Sequence, residues 1–132
     1  MILDTSAVVG VVIEEPGWQL TRDALADATV AGMGTPTLAE TGVVLTGKVG
    51  PNGAALLAQF VQAMGLISIP FGDDHWREAV SAHRRYGKGR HAAGLNLGDC
   101  MAYAVARLAD EPLLTLNEGF RLTDLELVLP QA

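Results

Sequence analysis

The 132-residue chain has a single cysteine, Cys100. An internal disulfide is therefore excluded, a thiolate metal site is disfavoured, and the thiol reads as a small buried hydrophobe. Long apolar runs are missing too. None approaches the roughly 20 residues that a bilayer-spanning helix needs, and Asp4 stands where a secretory leader requires basic and then apolar residues. The expectation is a cytoplasmic protein with no membrane contact. Basic charge is scarce: 9 Lys and Arg against 15 Asp and Glu give a net charge of −6. That balance argues against a protein that coats nucleic acid through a general basic surface. Phosphate-loop signatures are absent, since Gly87-Lys88-Gly89 lacks the Gly-x-Gly-x-x-Gly spacing after a strand and no Gly-Lys-Ser/Thr loop occurs. No linker or composition shift divides the chain, so one domain over residues 1–132 is expected.

What is present is a rhythm of short apolar strands and helical segments. Met1 to Asp4 reads as a strand, Ser6 to Ile13 as a helix, and Trp18, Leu20, Ala24, Leu25 and Ala28 as one face of a second helix. Thr29 to Gly34 suits a second strand, and Thr35 with Pro36 opens a third helix that carries Glu40 and runs to Gly47. After the Gly50-Pro51-Asn52-Gly53 turn, Ala54 to Met64 is helical and Leu66 to Pro70 is a third strand. Asp73 can cap a helix from Asp74 to Tyr86, ended by Gly87. Asn96 caps the next helix, in which Met101, Ala104, Val105 and Leu108 recur at helical spacing. Leu113 to Thr115 and Leu125 to Leu129 read as the last two strands. Such alternation implies a parallel sheet covered on both faces, with ligands outside the carboxyl ends of the strands.

Three carboxylates fall at that edge. Asp4 ends the first strand, Glu40 lies in the first turns of the third helix, and Asp99 lies in the first turn of the helix that Asn96 caps. Asp99 could merely complement the helix dipole. Three acids brought together, however, repel one another unless a cation neutralises them or one takes a proton. Mg²⁺ or Mn²⁺ is the natural cation, because these hard ions choose oxygen ligands. A second feature is basic. Arg84, Arg85, Lys88 and Arg90, four of the nine Lys and Arg, fall within seven positions that lead into the Asp99 helix. Two other acid-at-strand-end families fit poorly: a haloacid-dehalogenase-like phosphatase needs Asp where Ser6 stands, and a receiver domain needs an acidic pair and a late Lys that are missing.

Asp4-Thr5-Ser6-Ala7, Ala39-Glu40, Asn96-Leu97-Gly98-Asp99-Cys100 and Pro112-Leu113-Leu114-Thr115, in this order across the whole chain, resemble the PIN-domain family. More narrowly, Arg85-Tyr86-Gly87-Lys88-Gly89-Arg90-His91 running into Leu95-Asn96-Leu97-Gly98-Asp99-Cys100 is similar to the VapC ribonuclease toxins of bacterial toxin–antitoxin pairs. The resemblance implies a three-layer α/β/α fold with a central, mainly parallel sheet of four to five strands. It also implies a Mg²⁺- or Mn²⁺-dependent endoribonuclease, the toxin of a type II VapBC-like pair. Its partners would be an RNA substrate, a second copy in a homodimer and a VapB-like antitoxin whose C-terminal segment lies in the active-site groove. The alternative is a catalytically weak PIN domain that binds RNA or its antitoxin without cutting.

Carried over by position, the metal-binding and catalytic acids are Asp4, Glu40 and Asp99, with Ser6 as the small hydroxyl residue beside the first acid and Thr115 at the end of the fourth strand. A further catalytic position falls on Asn117, with Glu118 and Asp124 as other candidates, because Gly119 stands where an Asp often precedes Phe120. An Asn supplies no charge, so a second metal site should be weak or absent. Glu40 would orient or deprotonate the attacking water, and Ser6 and Asn117 would hold waters. Arg85, Lys88 and Arg90 would bind phosphates flanking the cut. Among the few aromatics, Tyr86 is best placed to stack on a base, and Leu56, Leu57, Phe60 and Val61 offer a face for a second subunit.

Overall fold

The structure is a computed structural model that describes residues 1–128 and 130. Five parallel strands form one sheet in the order β3-β2-β1-β4-β5, with β1 at Ile2–Leu3, β2 at Gly32–Gly34, β3 at Ile67–Ile69, β4 at Leu113–Leu114 and β5 at Leu127–Val128. Side chains on a strand alternate between faces, and this alternation builds three layers. Ile2 and Leu113 enter one core with Ala82, Tyr103 and Phe120, whereas Leu3 and Leu114 enter the other with Val8, Met33 and Leu45. Helices α1 (Thr5–Val12), α2 (Trp18–Ala26), α3 (Thr35–Val49) and α4 (Gly53–Met64) contribute to the second core, and α5 (Asp73–Tyr86) and α6 (Leu97–Ala109) to the first. The expected parallel three-layer fold is present, with five strands.

Several boundaries differ from expectation for local reasons. Helix α3 is capped by Gly34 rather than Thr35, with Pro36 in its first turn, and it runs through Gly47 to Val49. Gly72, not Asp73, precedes α5, and its N–H donates to His75 Nδ1 at 3.1 Å. Asp73 and Asp74 instead sit in the first turn, where their charge faces the positive helix end. The last strand is shorter than Leu125 to Leu129, and Leu129 lies outside the described residues. The face offered for a second subunit is largely used internally: Leu57 is buried, and Phe60 and Val61 pack on the second core.

The chain builds β1, β2 and β3 outward on one side and returns to place β4 and β5 on the other, so the topological switch lies between β1 and β4. Residues immediately after those strands therefore meet at the carboxyl edge. They are Asp4 and Thr115, linked by a 2.5 Å hydrogen bond from Thr115 Oγ1 to Asp4 Oδ2.

Candidate active site

Asp4, Glu40, Asp99 and Asn117 line one cavity of about 370 Å³, together with Thr5, Ser6 and Asn96. Each is fixed by its own element. Asp4 caps α1 by accepting from the Ala7 N–H at 3.0 Å, and the same oxygen accepts from Ser6 Oγ at 2.7 Å. Ser6 Oγ also accepts from the Leu116 N–H at 2.9 Å, which ties the start of α1 to the segment after β4. Asp99 closes a capping box with Asn96: Asn96 Oδ1 accepts from the Asp99 N–H at 2.8 Å, and Asp99 Oδ2 accepts from the Asn96 N–H at 3.0 Å. Both hydrogen bonds to the Asp99 carboxylate fall on Oδ2, and none among the described residues uses Oδ1.

Glu40 reaches the site from α3, where Thr5 Oγ1 donates to its Oε1 at 2.8 Å and also contacts Thr41 Oγ1 at 3.0 Å. The Glu40 carboxylate lies directly against Gly98 in the first turn of α6, where a Cβ would displace it, so the glycine leaves room for α3 to present this acid beside Asp99. Asn117 donates from Nδ2 to Asp99 Oδ2 at 3.4 Å and accepts on Oδ1 from the Gly119 N–H at 2.9 Å. Its backbone N–H donates to Thr115 Oγ1 at 2.9 Å. A hydrogen-bonded chain therefore runs from Asp4 through Thr115 and Asn117 to Asp99.

No salt bridge among the described residues touches Asp4, Glu40 or Asp99. Burial pushes the Asp4 carboxyl above its ordinary value despite hydrogen bonds from Thr115, Ser6 and Ala7, and the charge of Asp99 adds to the rise. Burial likewise raises Asp99, against its hydrogen bonds from Asn96 and Asn117, and Glu40 adds to it. Among the described residues no three His, Cys, Asp or Glu side chains are gathered closely enough to hold an ion unaided. A hard divalent cation that keeps several waters needs only one or two carboxylates. The all-oxygen donor set and the unneutralised charge fit such an ion, which Asp4 and Asp99 could hold.

The other sequence candidates separate cleanly. Glu118 is exposed and pairs with Arg121, outside the cavity. Asp124 lies elsewhere, accepting from Tyr103 Oη at 2.5 Å and pairing with Arg85 and Arg107 at 3.6 Å each. Only Asn117 of the three reaches the site. Arg85 is engaged by Glu78, Tyr103 and Asp124, whereas Arg84, Lys88 and Arg90 have no ion-pair partner among the described residues. Tyr86 is half-buried against Tyr103 and edge-on to His91, while Trp76 is 49% exposed. Thr5, named in the sequence only as the neighbour of Ser6, holds Glu40, and Glu15, on the cavity rim, carries no signal in the sequence. Glu15 sits in the turn after α1, and nothing in its spacing signals that the turn folds back. Cys100 is buried as expected, its thiol pushed up to about 11 by burial and then by Asp99.

A family model of the PIN domain matches residues 1–125. The chain is 41% identical over 128 residues to a protein named Ribonuclease VapC from Mycolicibacterium smegmatis, covering 97% of this chain and 99% of that one. Its fold is similar to the crystal structure of Mycobacterium tuberculosis VapC20, described as a sarcin-ricin loop cleaving toxin, with a TM-score of 0.80 at 17% identity over 98% of both chains. It is also similar to a chain of a toxin–antitoxin complex from Klebsiella pneumoniae, with a TM-score of 0.72 at 18% identity, covering 98% of this chain and 97% of that one. With the acid-lined cavity at the switch point of a parallel sheet, these likenesses make the chain a PIN-domain protein of the VapC ribonuclease family.

Proposed function

We propose that this single PIN domain, acting in the cytoplasm, is a divalent-metal-dependent endoribonuclease and the toxin of a type II toxin–antitoxin pair. The observation that carries the reading is the cavity in which Asp4, Glu40 and Asp99 meet without a cationic side chain, in a chain 41% identical to a named ribonuclease. Mg²⁺ or Mn²⁺ suits the donor set, and when bound it supplies Lewis acidity toward a phosphoryl oxygen. Asp4 and Asp99 would hold the ion. Glu40, oriented by Thr5, accepts a proton from the attacking water. Ser6 and Thr115 fix the Asp4 carboxylate, and Asn117 fixes that of Asp99. Because Asn117 spends its oxygen on the Gly119 N–H and offers Asp99 an amide proton, one metal position is favoured over two.

Arg84, Lys88 and Arg90 are the cations open to phosphates, and Arg85 serves the fold. The partner that silences the site is a small antitoxin that delivers a Lys or Arg among the acids, where its charge replaces the cation. A second copy of the chain completes a homodimer.

The test is cleavage of mixed tRNA, rRNA and mRNA by the purified chain with Mg²⁺, with EDTA, and with Asp99→Asn. Cleavage that needs both the metal and Asp99 supports the reading. Metal-dependent RNA binding without any cutting would favour a binding module instead.

A further inference from the structure

The first turn of α6 separates two cavities of opposite chemistry. Successive helix residues turn by about 100°, so Leu97 and Met101 share one face while Asp99 points almost oppositely. On the Asp99 side the lining includes four carboxylates, Asp4, Glu15, Glu40 and Asp99, and no Lys or Arg. On the Leu97 side a groove of about 510 Å³ opens between α6 and α5, lined by Trp76, Arg84, Arg90, Leu97 and Met101 among others, and no carboxylate lines it. Trp76, Val80, His83 and Arg84 form its α5 wall at helical spacing. Leu97 is 69% exposed and Trp76 49%, and the Arg77 guanidinium sits 4.8 Å from the centre of the Trp76 ring.

An RNA strand gains no direct attraction from the acid cavity, since every charged side chain there is negative. Its affinity must come from a neighbouring surface that offers cations and apolar area together. In a protein of net charge −6 the α5–α6 groove has both, a helix diameter of about 10–12 Å from the acids. Its volume falls in the range of small-ligand pockets and is of nucleotide scale.

We propose that this groove is a base-binding subsite that receives an unpaired nucleotide of the RNA substrate flanking the cleaved bond. The base lies against Trp76, Leu97 and Met101, and its phosphates meet Arg84 and Arg90. The proposal rests on the ribonuclease reading above and adds the substrate feature it selects: a splayed base rather than a continuous duplex.

The test uses the full chain carrying Trp18→Phe, so that Trp76 is the only tryptophan. Single-stranded hexaribonucleotides of each base, and an abasic ribose-phosphate hexamer, are titrated in EDTA and again in Ca²⁺ while fluorescence is read. Saturable quenching is expected with the base-bearing hexamers, and about tenfold weaker binding of the abasic one. Trp76→Ala and Leu97→Ser, both at exposed positions, should each cost the base-bearing hexamers about tenfold by anisotropy and leave the abasic hexamer unchanged. In cleavage by the Mg²⁺-loaded chain the same variants should raise KM about tenfold with kcat within twofold.

Equal affinity for abasic and base-bearing RNA would overturn the proposal. So would light scattering in which Trp76→Ala converts a dimer to a monomer, which makes the groove a subunit interface, or loss of antitoxin binding with RNA affinity intact. If the parent chain cuts RNA and the groove variants leave KM unchanged, the subsite fails while the ribonuclease reading stands. If the parent chain cuts nothing, that reading fails.

Discussion

Helix α6 carries an acid problem at each end and solves only one of them. At its start Asp99 faces Asp4 and Glu40 without a cation, and burial raises the pKa of both aspartates. Along its later turns Tyr103 and Arg107 meet Asp124, which Arg85 also pairs. Burial there would raise Asp124 too, yet the Tyr103 hydroxyl and the two guanidiniums outweigh it and hold the carboxyl below its ordinary value. Tyr103 feels the reverse: burial and the bonded carboxylate push its hydroxyl up to about 12. The fold can clearly neutralise an acid when the acid serves structure. At the switch point, by contrast, no cationic side chain among the described residues pairs Asp4, Glu40 or Asp99, and the proposed metal-dependent reading builds on that difference.

The largest expected effect separates the two ends by activity. Asp99→Asn should cut RNA cleavage by a hundredfold or more, on the order of the loss of a transition-state electrostatic contact, while metal-free stability holds or rises as repulsion is relieved. Asp124→Asn should do the opposite. Cleavage should stay within a few-fold, and the half-exposed network should lose about 1 kcal/mol, a drop in Tm of roughly 2–5 °C. Asp124→Asn abolishing cleavage with Tm unchanged would erase the distinction.

Melting the metal-free protein across pH sharpens it. Asp4 and Asp99 have folded pKa values above the ordinary 3.8, so their stability contribution is complete below 3.8 and is lost as pH rises through the folded values. Asp124 lies below 3.8, so its contribution is present above 3.8 and is lost as pH falls through the folded value. Asp99→Asn should flatten the decline on the alkaline side of 3.8, and Asp124→Asn should flatten the decline on the acid side. A single curve for all three proteins would mean that neither environment matters to folding.

The smallest effect concerns the basic segment, which the fold divides between the two ends. Lys88→Gln with Arg90→Gln should flatten the log–log salt dependence of RNA binding by roughly 0.7 per lost phosphate contact. Arg85→Gln should lower Tm and leave the slope alone. A change of slope on replacing Arg85 would return it to the RNA.

That Asp4, Glu40 and Asp99 would come to one cavity was legible in the sequence because Asp4 ends a strand, Asp99 opens a helix and Glu40 lies in the second turn of another, and a parallel sheet sends strand ends and the following helix starts to one edge. The strand–helix rhythm gave the layers for the same reason, since apolar period is a local property. Arg85 was not separable from Arg84, because neighbours on a helix diverge by about 100° and only the approach of Tyr103, 18 residues away, decides which one bonds back to the fold. The choice among Asn117, Glu118 and Asp124 depended on a 3-10 turn over Glu118–Leu122 that throws Glu118 outward. Glu15 and Thr5 belong to the site through long-range closure, which no spacing rule carries. Trp76 showed itself as the open aromatic, in place of Tyr86, only once α6 lay beside α5.

The unpaired-acid account is tested most directly by titrating Mn²⁺ into the metal-free protein and reading bound ion by electron paramagnetic resonance, with Asp99→Asn and Asp124→Asn alongside. It predicts one saturable site in the parent chain, affinity at least tenfold weaker in Asp99→Asn, and parental affinity in Asp124→Asn. Mn²⁺ binding that survives Asp99→Asn unchanged, or that fails with Asp124→Asn, would contradict it.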